Sequence, residues 1–214
     1  MLVVNIIIKR LMRLYSYNVS WWVQSLLCYM LLIIISRLSL ASNAVPEYVV
    51  QTIVITAAIF ASSINPFQEL HNDFNSGHLQ QFMMLGVWRI IPGGVYIIVK
   101  LIVMNLSFVV MQPVTCMLLS IPSDRCGALL MAILTAVSYN IIITFLISCL
   151  NVGKENNLLL SILSLPLAIP GMLLAIMGME QPSYHHLALA VILALLPLTI
   201  WMAEKILLAA LSER

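Results

Sequence analysis

The sequence predicts an all-α, polytopic membrane protein with six transmembrane helices. Three observations predict it. Of 214 residues, 62% are hydrophobic and only 8% charged, a composition foreign to soluble globular domains. Apolar runs of membrane-crossing length alternate with short polar connectors. The basic residues gather in alternate connectors, as the positive-inside rule requires. One membrane domain, residues 1–214, accounts for the length. The net charge of +2 implies no nucleic-acid surface.

Residues 1–18 read as an amphipathic helix lying in the membrane interface. Asn5, Lys9 and Arg13 recur every four residues with Arg10 beside them, and Ile7, Leu11 and Leu14 take the other face. This basic cluster follows the first apolar residues, the reverse of a cleavable signal peptide. The first span is expected at residues 21–40, with Trp21 and Trp22 at headgroup level and Arg37 snorkelling at the far end. A short external loop, residues 42–48, leads to the second span at 49–66.

The third span, residues 95–119, follows a break at Pro92-Gly93-Gly94. Lys100 stands inside it, on the order of 9 Å deep at 1.5 Å per residue. It either snorkels to the interface or faces the protein interior and meets an anionic substrate. Pro113 near the outer end predicts a kink. After an external turn at 121–125 comes the fourth span, residues 126–150. Its Ser138, Tyr139 and Asn140 either bond between helices or line a substrate path. The fifth span, residues 158–177, carries Pro166 and Pro170 one turn apart. The missing donors predict an irregular segment over 165–171, packed inside the protein. An external loop at 178–186 leads to the sixth span, residues 187–203, and an interfacial tail at 206–214.

With six spans, Lys9, Arg10, Arg13, Arg89, Lys154, Lys205 and Arg214 share one side, against Arg37 and Arg125 on the other. This places both termini and the long connector between spans two and three in the cytoplasm. Within that connector, residues 67–92, apolar residues recur at Phe67, Leu70 and Phe74 and again at Leu79, Phe82 and Met83. The spacing predicts two short amphipathic helices bent at Gly77. A positive φ at Gly77 would make a side chain there costly. Glu69 and Asp73 share one face of the first helix. The apolar stripe with its polar back suits docking on another protein or on lipid headgroups.

No paired carboxylates lie in a span, and no H-E-x-x-H or nucleophile motif occurs. Gly153-Lys154 is followed by Glu155 where a phosphate loop needs Ser or Thr. The chain is therefore not expected to be an enzyme, with no catalytic residue and no metal site. His71, His78, His185 and His186 read as solvated or satisfied surface groups. Cys28, Cys116, Cys126 and Cys149 form no C-x-x-C pair and read as buried, reduced thiols.

An interfacial basic helix, six spans and a bent amphipathic loop after span two resemble permeases of second-type ABC exporters. The run Leu159-Leu160-Ser161-Ile162-Leu163-Ser164-Leu165-Pro166-Leu167-Ala168-Ile169-Pro170 is similar to a leucine- and proline-rich run in the CcmB family, the haem-exporter permeases of cytochrome c maturation. The stretch Asp73–Phe82 resembles that family's cytoplasmic loop, with His78 and Gln80 as departures. Lys100, Pro113 and Lys154 also fall where the family tends to carry those residues.

The resemblance implies a separate ABC ATPase docking on the cytoplasmic loop, coupled through Glu69, Leu70, Asp73, Phe74, Gly77, Leu79, Phe82 and Met83. It implies a haem-handling membrane protein in the same bilayer, and haem as a transported or handed-over ligand with no stably bound cofactor. Lys100, Tyr139, Asn140, Pro166 and Pro170 are the expected substrate path. The expected location is a bacterial or mitochondrial inner membrane, with both termini on the cytoplasmic or matrix side. The alternatives are a second-type permease for a lipid, polysaccharide or drug, and a scaffold that anchors an ATPase without moving a substrate.

Overall fold

A computed structural model describes residues 19–40, 46–64, 67–80, 91–152, 157–181 and 183–212. The expected interfacial helix at 1–18 and the loop side chains Phe82 and Met83 lie outside the described residues. Within them every regular element is a helix: α1 (Val19–Leu40), α2 (Glu47–Ser63), α3 (Gln68–Asn75), α4 (Ile91–Leu119), α5 (Ser123–Leu150), α6 (Asn157–Glu180) and α7 (Ser183–Ser212). By length and composition, Gly94–Leu119, Ser123–Leu150 and Ser183–Ser212 are each able to cross a membrane. Val23–Ser39, Glu47–Ser63 and Pro166–Glu180 are shorter apolar helical segments.

Several boundaries differ from expectation for local reasons. α2 starts at Glu47, inside the expected external loop, because Pro46 sits at its N-cap and a first-turn carboxylate suits the helix dipole. It stops at Ser63, since Ile64 is extended and Pro66 cannot continue a helix. Pro92-Gly93-Gly94 does not break the chain but forms the first turn of α4. Proline is tolerated there because its missing N–H would have no helical acceptor. A Cβ on Gly94 would stand 3.4 Å from Ile200, so α4 and α7 are in van der Waals contact there.

The irregular segment expected at 165–171 does not form. α6 continues through both prolines, and Pro166, Leu167, Ile169 and Pro170 are exposed on its outer face. The loop expected at 178–186 also contracts, because α6 runs to Glu180 and α7 starts at Ser183. Gln181 N–H donates to Met177 and Tyr184 N–H to Gln181, each at 3.0 Å, which closes a tight joint. α7 then continues as one helix through the expected tail to Ser212.

The core is built around α5, which packs against α2, α3, α4, α6 and α7. Leu129, Ala132, Ile133, Ala136, Val137, Ile141, Ile142 and Phe145 are all fully buried on it. Their spacing of three and four residues makes one stripe, and its alanines allow neighbouring backbones close. The opposite surfaces of the bundle are apolar too. Leu31 and Leu38 on α1, Ile102, Leu106 and Met117 on α4, and Leu193 and Trp201 on α7 are exposed. Large apolar side chains on the outside are what a lipid solvent requires.

The three polar residues in the middle of α5 serve three different neighbours. Ser138 accepts a hydrogen bond from Asn105 Nδ2 on α4 at 2.9 Å. Asn140, fully buried, donates through Nδ2 to Ile59 O, Ser62 Oγ and Ser63 Oγ on α2 at 3.3, 2.8 and 2.9 Å. Tyr139 lies against Gly171 of α6, where a Cβ would overlap its ring. Consecutive helical residues point about 100° apart, so one tripeptide reaches three partners.

The cysteine expectation needs correcting. Cys116 and Cys126 form a disulfide across the turn between α4 and α5, with Cα atoms 6.4 Å apart, while Cys28 and Cys149 are free. Their separation of ten residues brings them together only because the chain reverses at Ser120, which has φ 54°. Buried Gln112 supports the same turn, donating from Nε2 to Cys126 O at 3.1 Å.

Gly171→Ala tests the α5–α6 contact. The added methyl meets the root of the Tyr139 ring, which cannot swing away without moving α5. Overpacking of this kind costs about 1–3 kcal/mol. The thermal transition of the purified protein should fall, and Tyr139→Ala in the same chain should recover most of the loss.

Candidate functional site

The connector between α2 and α4 folds back onto the helical bundle as α3. Phe67 starts it in the left-handed region, at φ 49° and ψ 40°. A bulky residue seldom adopts this conformation, which costs roughly 1–2 kcal/mol. Burial holds it there. Phe67 is 1% exposed, and its ring packs edge-on against Phe145 of α5 with centroids 4.9 Å apart. The strained residue turns the chain sharply after α2, so that α3 lies across the ends of α4 and α5.

α3 is strongly two-faced. Leu70, His71, Asp73 and Phe74 are buried, while Asn72, Asn75 and Ser76 are exposed. The bend follows at Gly77, whose φ is +74°, the positive value that makes glycine necessary. Leu79 is fully buried after the bend and Gln80 is exposed. The apolar positions Leu70, Phe74 and Leu79 therefore pack into this chain's own core, and the outward face of the connector is polar. Glu69 lies on α3, but its side chain is outside the described residues.

Buried polar groups join α3 to α4. The Tyr96 hydroxyl donates to Asp73 Oδ2, with both residues buried. Lys100, 5% exposed, holds its Nζ 5.3 Å from the centre of the Phe67 ring. That distance is within cation–π range. The Lys100 ammonium thus lies beneath α3 rather than in open water. His71 is buried with Nε2 lacking a hydrogen-bond partner among the described residues. Burial pushes its imidazole below the ordinary value. Sequence reasoning missed Tyr96, although its place one turn before Lys100 was a readable signal.

The residues expected along a substrate path do not share one surface. Lys100 is under α3, Asn140 is sealed against α2, and Tyr139 is wedged against α6. Pro166 and Pro170 are exposed on α6. At the other end of the bundle, Glu47, Gln51, Asp124, Arg125 and Glu180 line a cleft of about 520 Å³. Arg125 bridges to Glu47 there at 2.7 Å. His185 and His186 line a smaller, mostly apolar hollow of about 250 Å³ between α5 and α7. His185 was expected to be solvated or satisfied, yet its Nδ1 is buried without a hydrogen-bond partner among the described residues, because the ring packs on Gly178. No group of three or more His, Cys, Asp or Glu able to hold a metal occurs among the described residues.

His71 makes the seating of α3 pH-dependent. Its folded-state pKa lies below the ordinary 6.5, so the unfolded chain binds more protons in that range. Stability from this group is complete above 6.5 and is lost as pH falls through it. Protection of the α3 amides against hydrogen exchange, with the intrinsic slowing of exchange in acid divided out, should fall on acidification, and His71→Gln should remove that fall.

Comparison with known proteins adds the family. A search of curated proteins returns no match. The model of the family described as CcmB protein matches residues 2–211, nearly the whole chain. The chain belongs to the CcmB family, membrane permease components of haem-exporting ABC systems in cytochrome c biogenesis, and not to a family of catalytic enzymes.

Proposed function

We propose that this chain is the membrane component through which a separate ABC ATPase drives haem delivery for cytochrome c-type biogenesis. The family match over residues 2–211 carries the reading. A haem-handling membrane protein in the same bilayer is part of it, and haem is cargo rather than a resident cofactor. The domain is a single exporter-type unit with six spans, provided by α1, α2, α4, α5, α6 and α7.

The disulfide supports the orientation. α4 has 29 residues and rises about 43 Å, more than the ~30 Å hydrocarbon core. Its two ends therefore face opposite compartments. One end carries the Cys116–Cys126 bond and the other adjoins α3. Disulfides persist on the oxidising side, so α3 belongs to the cytoplasm or matrix. Basic-residue counting assigns the same sides independently. Ser76→Cys should react with an impermeant thiol reagent only after the membrane is breached, and labelling in intact cells would reverse the orientation.

The connector is the coupling element. The exposed residues Asn72, Asn75, Ser76 and Gln80 meet the ATPase, while Leu70, Asp73, Phe74 and Leu79 carry the contact inward by holding α3 to the bundle. Gly77 shapes the bend between the two helices, and Glu69, Phe82 and Met83 complete the coupling segment. The test is co-purification of the ATPase together with covalent haem attachment to apocytochrome c. Asn72→Glu combined with Asn75→Glu should leave the permease at normal abundance, remove the ATPase and stop attachment. Normal attachment in cells lacking this chain would refute the haem role, and undiminished ATPase capture by the double variant would refute the docking face.

A further inference from the structure

We infer that Tyr96 is a positioning residue that latches α3 to α4, so that the coupling helix and this transmembrane helix move as one body. The inference rests on the coupling reading above and adds the residues that transmit the motion.

Two attachments carry it. Tyr96 donates to the Asp73 carboxylate, and Lys100 lies over the Phe67 ring. On α4 the two residues are one helical turn apart and so share a face. On the connector, Phe67 and Asp73 are at the start and near the end of α3. A single contact would leave α3 free to pivot. Two contacts at separate points fix both its position and its direction against α4.

The chemistry of the attachment suits transmission. Asp73 is 4% exposed and Tyr96 3%. A buried carboxylate depends on its donors, and a hydrogen bond to an ionised acceptor is about twice as strong as a neutral one. It is also directional, whereas apolar contacts such as Leu70 and Phe74 allow sliding. The strained backbone at Phe67 absorbs the change of direction after α2, leaving α3 tied to α4 and α5.

The direct test uses spin labels on the reconstituted complex with its ATPase, in a Cys28→Ser, Cys149→Ser background. One pair is Gln68→Cys, on α3 but not among the docking residues named above, with Ser107→Cys on α4. A second pair is Gln68→Cys with Ser183→Cys, across α3 and α7. On ATP binding the first distance should stay constant while the second changes. A change in the first distance in the otherwise native complex would overturn the latch.

Tyr96→Phe provides the functional arm. The complex should still assemble and hydrolyse ATP, but haem attachment per ATP hydrolysed should fall roughly tenfold, the scale of losing one charge-assisted hydrogen bond. Asp73→Asn, which still accepts from Tyr96 but as a neutral acceptor, should fall between Tyr96→Phe and wild type. Unchanged attachment per ATP in Tyr96→Phe would also overturn the latch. Failure of the native complex to bind its ATPase would instead refute the coupling reading on which the latch stands.

Discussion

The constraint on which this structure depends is that α5 is surrounded. It touches five other helices, so almost none of its length faces a solvent that can satisfy polar groups. Each polar side chain in its buried middle must find its partner on a neighbour or on its own backbone. Asn140 shares the two hydrogens of its Nδ2 among three acceptors at the end of α2, and Ser138 pairs with Asn105 of α4. Thr144 returns its hydroxyl to the Asn140 carbonyl within α5 at 2.8 Å. The bonds between helices fix rotation and depth, which apolar packing in a lipid solvent specifies poorly. The small residues of the stripe then determine how closely the neighbours approach.

The same logic operates elsewhere in the bundle. Tyr29 on α1 shares a hydrogen bond with Thr115 on α4 at 3.1 Å and stacks edge-on with Phe108. α1 is largely exposed on its other faces, and this contact, with buried Ser25, Leu26 and Ile33, sets its register. At the far end, the disulfide and the Gln112 bond hold the α4–α5 turn where helix ends would otherwise fray. The bundle is thus pinned at three depths: at the disulfide turn, at mid-helix around Asn140, and at the junction beneath α3.

What was legible in the sequence follows from which signals are local. The apolar runs, the bend at Gly77 and the two-faced character of α3 are properties of short segments, and periodicity reads them directly. Helix ends were less legible, because proline has opposite meanings by position. Pro92 in a first turn is harmless, Pro66 after a C-cap ends a helix, and Pro166 and Pro170 are carried inside one. The disulfide was missed because the two cysteines stand ten positions apart in apolar flanks, and the expected turn at 121–125 did not show that the left-handed Ser120 would bring them together. The apolar face of α3 was correctly located, but its partner was not readable. A stripe of Leu70, Phe74 and Leu79 looks the same whether it enters another protein or its own bundle. Tyr96 went unnoticed because a tyrosine near a membrane interface ordinarily reads as part of an aromatic belt.

The division of α3 into a buried face and a polar outer face has a mechanical consequence. A partner that gripped Leu70 and Phe74 directly would have to pull them from the core, and removing a large apolar side chain from burial costs about 1.5–3 kcal/mol. Two such residues, about 3–6 kcal/mol together, would exceed a typical coupling energy between sites, about 1–3 kcal/mol. A partner that grips Asn72, Asn75 and Ser76 leaves the core intact and loads α3 from outside. The load then passes inward through contacts that resist rotation. An apolar seat alone transmits a push but allows a twist, since its energy is insensitive to direction. A buried carboxylate bonded to a hydroxyl, with a cation over the ring at the opposite end, resists both. On the coupling proposed above, the polar junction beneath α3 is what would give a short helix purchase on a helix about 43 Å long.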